Sequence, residues 1–221
     1  MRRSWQATSL RLVAVQVEMD ANLKSVVWLF WYNTNVFLIN IVSRVNYASI
    51  RTCDIANGEG VRVTLFVSGC THRCKGCFNP DQWDFDYGEL FTREVEDRIL
   101  KDLEPSYIAG LSILGGEPME PTNQRVLVPF LRRFEDMRRK TGGKKTLWVY
   151  TGCVLEKDLL PIEQSERSEQ SNNSSRWRTE VTDEFLSYID VLVDGPFIEE
   201  LKDISLQFRG SSNQRILRLK Q

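Results

Sequence analysis

Apolar positions along the chain switch repeatedly between two periods. Val61-Arg-Val-Thr-Leu-Phe-Val67 is rich in β-branched and large apolar residues and predicts a strand over 61–68. Thr92 then stands where an N-cap belongs, ahead of Val95, Ile99 and Leu103, whose spacing of four makes one helical stripe. Gly110-Leu-Ser-Ile-Leu114 predicts a second strand, closed by Gly115-Gly116. A longer helix follows, with Leu127, Phe130, Leu131, Phe134 and Met137 facing inward and Pro129 in its first turn or at a kink. Gly142-Gly143 ends it. Thr146–Tyr150 is a third strand, Thr182 caps a helix through Phe185, Leu186 and Ile189, and Val191–Val193 is a fourth strand ending at Asp194-Gly195-Pro196. A short last strand is expected at Arg215–Leu219. Strands alternating with helices imply right-handed βαβ crossovers, an α/β fold and a mostly parallel sheet. Four to six such units are fewer than the eight of a closed barrel, so the expected architecture is an open, partial (βα) barrel.

Two stretches break this pattern. Glu163–Ser175 is almost wholly polar and cannot bury enough surface to offset its ordering entropy, so a disordered insertion is expected at about 163–180. In residues 1–44 the apolar runs Val26–Tyr32 and Val36–Ile39 are interrupted by Asn33, Thr34, Asn35 and Asn40. A membrane-spanning helix needs about 20 mainly apolar residues, and no small-residue cleavage site follows. The segment reads as neither export signal nor anchor but as an extension outside the fold, leaving 45–221 as the domain. The expected natural start is near Val45, with the upstream stretch a gene-call artefact and the protein cytoplasmic, with no membrane partner.

Composition adds little: 42% apolar and 27% charged residues suit a single globular domain with decoration. A net charge of −1 gives no bulk attraction to nucleic acid. Arg132, Arg133, Arg138, Arg139, Lys140, Lys144 and Lys145 form a basic stretch that reads as a solvated helix end.

The candidate chemistry lies in Cys70-Thr-His-Arg-Cys74-Lys-Gly-Cys77, directly after the first strand. Spacings of three and then two suit an iron–sulfur cluster held one ligand short, since a cubane [4Fe–4S] cluster normally takes four thiolates. Zinc would need a closed set of four, for which His72 is the local candidate. Five cysteines in 221 residues do not suit a disulfide framework. Cys53 and Cys153 read as buried small residues, and His72 as an exposed loop residue. A second motif, Gly115-Gly116-Glu117-Pro118, stands at the C-terminal end of a strand, the edge where parallel α/β folds bind ligands. Glycines there allow close backbone approach and Glu117 adds a carboxylate.

Taken together, the C-x3-C-x2-C loop and the Gly-Gly-Glu turn resemble the radical S-adenosylmethionine superfamily. That resemblance implies Cys70, Cys74 and Cys77 as ligands of one [4Fe–4S] cluster per chain. It implies Gly115, Gly116 and Glu117 around the methionine end of S-adenosylmethionine, and Gly76, Cys77 and Phe78 near its adenosyl group. Asp54–Arg62, Cys77-Phe-Asn79, Trp148-Val-Tyr-Thr-Gly152, Val193–Phe197 and Arg209-Gly-Ser-Ser-Asn-Gln-Arg215 narrow the resemblance to activating proteins of anaerobic (class III) ribonucleotide reductases, from about Asn46 to Leu219. Cys153 departs from it, where an aromatic residue commonly follows Tyr-Thr-Gly. Implied partners are the large subunit of that reductase, a glycyl-radical protein, and a flavodoxin-like or ferredoxin-like electron donor. The implied reaction is reductive cleavage of S-adenosylmethionine to a 5′-deoxyadenosyl radical that takes a hydrogen from a reductase glycine. Asp194 and Arg209–Arg215 either line the mouth of the barrel, or Asp194-Gly195-Pro196 is only a turn and Arg209 a structural ion-pair partner. Activation of another glycyl-radical enzyme of the formate-lyase type, radical chemistry on a small molecule and a non-enzymatic metal-binding module are the alternatives.

Overall fold

The computed structural model describes residues 30–32, 35–37, 44–161 and 175–220. The chain falls into two units, Met1–Arg44 and Val45–Gln221. In the first, β1 (Phe30–Tyr32) pairs antiparallel with β2 (Asn35–Phe37). What the sequence suggests for the rest of residues 1–44, and for 162–174 of the polar segment, lies outside the described residues. Among those described, no helix is long and apolar enough to cross a membrane.

The second unit is built on an open seven-stranded sheet in the order β5-β3-β4-β6-β7-β8-β9. Its strands are β3 (Asn46–Asp54), β4 (Val61–Val67), β5 (Glu89–Leu90), β6 (Ile108–Gly115), β7 (Thr146–Tyr150), β8 (Val191–Asp194) and β9 (Arg215–Arg218). The central β4, β6, β7 and β8 run parallel, in registers that include Leu65↔Ile113, Leu111↔Leu147 and Val149↔Leu192. Antiparallel strands close both sides: β3 and β5 beside β4, and β9 beside β8. The sheet is therefore mostly parallel, as expected, while β3 and β5 were not anticipated. β3 is half exposed, and its pattern lacks the continuous apolar run that marks a buried strand.

Helices α1 (Arg93–Asp102), α2 (Pro121–Lys140) and α3 (Thr182–Tyr188) supply the connections between the central strands. The side-chain period of two sends Val63, Leu65, Val67, Leu111, Ile113, Leu147, Val149 and Leu192 to one face of the sheet. There they join Ile99, Leu127, Phe130, Leu131, Phe134 and Phe185 from the helices in one buried core. Each such side chain contributes roughly 1.5–3 kcal/mol of burial free energy, which holds the parallel strands in register with their C-terminal ends at one edge.

The opposite face is more polar. Arg62 is wholly buried there, beneath the Trp148 ring (5.5 Å from guanidinium carbon to centroid), with no carboxylate partner among the described residues. Its donors are spent on neutral oxygens: Nε on Ser112 Oγ at 2.7 Å, and the terminal nitrogens on Glu59 O, Thr146 Oγ1, Thr146 O and Leu111 O. Burial pulls its pKa down to about 10, so it remains charged at neutral pH. Arg62→Met is expected to strand several of these acceptors and to cost about 3 kcal/mol in a urea titration. A change below about 0.5 kcal/mol, the usual range for a surface site, would rule out this bolting role.

Several local expectations are corrected. Pro121, not Pro129, takes the first turn of α2, and Pro129 lies inside the helix. Thr92 occupies the N-cap of α1 but makes no capping bond. Thr182 is the first residue of α3 instead of its cap; its buried hydroxyl donates to Gln124 Oε1 at 2.6 Å. Cys53 is exposed. The basic stretch is only partly solvated, because Arg138 is buried against Asp190 (2.6 Å) and Lys145 Nζ donates to the carbonyls of Pro105 and Ile108.

Candidate active site

The cysteine loop, the Gly-Gly-Glu turn and the segments after β7 and β8 emerge at the C-terminal edge of the central strands, whereas Asp54–Arg62 leads into the N-terminal end of β4. β4 leads into Cys70–Cys77, β6 into Gly115–Glu117, β7 into Thr151–Cys153 and β8 into Gly195–Phe197. The parallel ladder continues past the strand ends and zips these loops together. Gly116 N–H donates to Val67 O at 2.7 Å, Glu117 N–H to Gly69 O at 2.8 Å, Thr151 N–H to Val193 O at 2.9 Å and Gly195 N–H to Cys153 O at 2.8 Å. The cysteine loop and the Gly-Gly-Glu turn are thus one hydrogen-bonded unit, which sequence spacing alone does not establish.

Within the cysteine loop, Arg73 and Gly76 adopt positive φ (48° and 69°), folding the chain back between the thiols. Cys70 is buried, Cys74 and Cys77 are half-buried, and all three are free. Asn79 N–H donates to Cys77 Sγ at 3.4 Å, and the backbone N–H groups of His72 and Arg73 beside Cys70 and of Phe197 beside Cys74 pull those thiols' pKa values down against burial. Burial, followed by the charges of Glu117 and Glu120, pushes the Cys70 thiol up to about 12; burial also raises that of Cys74.

This donor set fits an iron–sulfur cluster. Soft thiolates select such clusters or zinc, and N–H···S bonds stabilise sulfur-borne charge. Among the described residues, the three ligand atoms lying within 4.8 Å of one another are those of His72, Glu117 and Cys153.

Glu117 is 1% exposed, and both carboxylate oxygens are engaged. Oε1 accepts from Met119 N–H and Thr151 Oγ1–H, each at 2.8 Å; Oε2 accepts from Gly152 N–H at 2.8 Å and lies 3.0 Å from His72 Nε2. His72 is therefore not the exposed loop residue expected: its ring stacks on Trp177 at 4.4 Å. Cys153 is buried, as expected, 3.7 Å from His72 Nε2. Trp177 falls in the polar segment expected to be disordered, yet it is 6% exposed and its carbonyl accepts from Gln124 Nε2 at 2.7 Å.

Phe78 is 59% exposed, with Phe197 at 5.0 Å and Lys202 Nζ over its ring. Lys75 pairs with Glu199 at 3.0 Å, so the loop after β8 packs on the cysteine loop. Two polar residues, Glu120 at the N-cap of α2 and Asn123 in its first turn, went unrecognised in the sequence. Glu120 Oε1 accepts from Thr71 N–H and Oγ1–H, and Asn123 Nδ2 donates to Ser68 O and Glu117 O. Nothing local distinguishes them from ordinary helix-surface residues.

Residues 56–217 match the family of 4Fe-4S single cluster domains. A protein of Haemophilus influenzae, named anaerobic ribonucleoside-triphosphate reductase-activating protein, is 40% identical over 178 residues, which is 80% of this chain and 99% of that relative. The chain belongs to the anaerobic ribonucleoside-triphosphate reductase-activating proteins. Members with the same name in Escherichia coli K12 (38% identity, 80% of this chain, 100% of the relative) and Enterobacteria phage T4 (35%, 78% and 93%) agree.

In this member of the activating-protein family, the Arg209–Arg215 segment is held by structural bonds. Arg215 Nε donates to the buried Asp194 carboxylate at 2.9 Å and Leu155 N–H donates to the same group. Gln214 Oε1 accepts from the N–H groups of Gly210 and Ser211, while its Nε2 donates to Gly195 O. The residue paired with Asp194 is Arg215 and not Arg209, the expected ion-pair partner, whose Nη1–H donates to Gln214 O at 3.0 Å.

Proposed function

We propose that this chain activates an anaerobic ribonucleotide reductase, with Cys70, Cys74 and Cys77 holding one [4Fe–4S] cluster and Gly115, Gly116 and Glu117 seating S-adenosylmethionine. Gly76, Cys77 and Phe78 would border its adenosyl group. The observation carrying this reading is the direct bonding of the three-thiol loop to the Gly-Gly-Glu turn at one sheet edge, by Glu117 N–H on Gly69 O and Gly116 N–H on Val67 O. On the same reading, the open sheet is the partial barrel of the radical S-adenosylmethionine type, and 45–221 is the activase domain, with 1–44 outside it.

When bound, the cluster and S-adenosylmethionine would supply one-electron reductive cleavage of a carbon–sulfur bond, releasing methionine and providing the radical that would take a hydrogen atom from a glycine of the reductase. The chain's own residues orient and exclude. Buried Cys70 and half-buried Cys74 would keep water from a bound cluster, and Asn79 N–H at Cys77 Sγ would offset thiolate charge. Exposed Phe78 marks the open side, where a peptide loop could enter. A flavodoxin-like or ferredoxin-like protein would supply the electron.

The test is anaerobic. Cluster-loaded protein is reduced with dithionite, given S-adenosylmethionine, and assayed for 5′-deoxyadenosine with and without the reductase large subunit. Expected are nucleoside release and a glycyl-radical resonance on the reductase. Cleavage without that resonance would transfer the activity to another glycyl-radical partner, and no cleavage by a fully loaded cluster would refute the enzymatic reading.

A further inference from the structure

We propose that His72 is a positioning residue, whose Nε2–H locks the Glu117 carboxylate and so holds the Gly115–Glu117 turn in the shape that receives S-adenosylmethionine. This rests on the seat proposed above. It assigns Glu117 a different task from a free anionic contact, because its oxygens are occupied by Met119 N–H, Thr151 Oγ1–H, Gly152 N–H and His72. Three strand ends meet at this one carboxylate: His72 comes from the loop after β4, Glu117 follows β6, and Thr151 and Gly152 follow β7. The carboxylate works as a knot between them, and a buried carboxylate that loses one donor pays the desolvation of the exposed oxygen.

The surroundings of His72 leave its ring little freedom. One face stacks on Trp177 at 4.4 Å with planes 18° apart, and Arg176 lies over the Trp177 ring at 4.3 Å. A Cβ at Gly152 would come within 2.8 Å of the imidazole, so glycine is required for the ring to sit where it does. Cys153, smaller than the aromatic residue expected there, leaves its sulfur 3.7 Å from Nε2. Trp177 thus reaches from the polar segment before α3 to orient a side chain of the cysteine loop.

The same three ligand atoms, of His72, Glu117 and Cys153, lie close enough to hold a metal ion. Hydrogen bonding already accounts for their approach: with Nε2–H directed at Glu117 Oε2, the nitrogen has no lone pair to give a metal.

Cluster-loaded wild type, His72→Phe and His72→Gln are compared by iron and zinc content, by the resonance of the reduced cluster titrated with S-adenosylmethionine, and by the split between kcat and KM. Phenylalanine keeps the stack and removes the donor; glutamine returns an N–H near the same place. His72→Phe is expected to keep about four irons per chain and to need roughly 10- to 100-fold more S-adenosylmethionine for the spectral change. The effect falls on KM more than kcat, and His72→Gln recovers most of it. An unchanged titration in His72→Phe overturns the proposal. So does loss of iron in that variant, which would make His72 a prop of the cysteine loop. One zinc per wild-type chain that disappears in Cys153→Phe would make the trio a metal site and also overturn it. If loaded wild type itself shows no response to S-adenosylmethionine, the functional reading fails instead.

Discussion

Cys74→Ser is expected to leave a folded protein that binds little iron and forms at least about 10³-fold less 5′-deoxyadenosine than the loaded parent, the scale of loss when an essential catalytic member is removed. The same result is expected for Cys70→Ser and Cys77→Ser. Serine keeps the size of the side chain, and the loop's fold is fixed by bonds the thiols do not make. Thr71 is tied to Glu120, Cys70 N–H donates to Trp83 O, and Cys77 N–H donates to Cys74 O. The melting temperature of the iron-free chains should therefore change little between variant and parent, separating ligand loss from unfolding. Cys53→Ser is the control. That thiol is exposed on β3, and its removal should leave iron content at the parental level. Parental iron in any of the three loop variants would remove that cysteine from the ligand set.

The second large effect is expected at Gly116→Ala. An added methyl would stand 2.5 Å from the Gly69 carbonyl oxygen and 2.8 Å from that of Gln82. Both are backbone atoms already in use, since Gly69 O accepts from Glu117 N–H and Gln82 O accepts from Gly69 N–H. No rotamer change relieves the clash, so the turn and the start of the cysteine loop must separate. Overpacking of this kind costs about 1–3 kcal/mol, or roughly 2–4 °C of melting temperature per kcal/mol for a chain of this size. The catalytic loss should exceed what stability explains, because a displacement of about 1 Å at a reacting site can cost about 10²-fold in rate. A variant with parental activity and a parental melting point would show that the two loops can part without consequence, and the seat would have to lie elsewhere.

The two variants probe parts of the site that were legible to different degrees. Cys70, Cys74 and Cys77 could be picked out as candidate ligands because spacing within one loop is a property of neighbours along the chain. Strand Thr146–Tyr150 and the apolar stripe of α2 were readable for the same reason, their periods being local and their apolar faces buried as the pattern required. The Gly115–Glu117 turn was readable as a strand end. The role of Glu117 within it was not, since its four partners come from three separate connections. His72 looked like an exposed residue because its immediate neighbours are polar. Its ring is shielded by Trp177, whose own surroundings in the sequence are among the most polar in the chain.

By itself, the sequence determined the alternation of strands and helices, the loop that carries the thiols and the edge of the sheet where chemistry would gather. Each depends on periodicity or spacing over a few residues, and burial of one regular face enforces it. Only the tertiary structure decided that antiparallel strands would flank the parallel core, that Arg62 would be buried on neutral oxygens, and that His72, Glu117 and Trp177 would meet. Those outcomes depend on which strand ends lie side by side once the sheet has formed, and a buried polar group must then find its partners among whatever that arrangement brings within hydrogen-bonding reach.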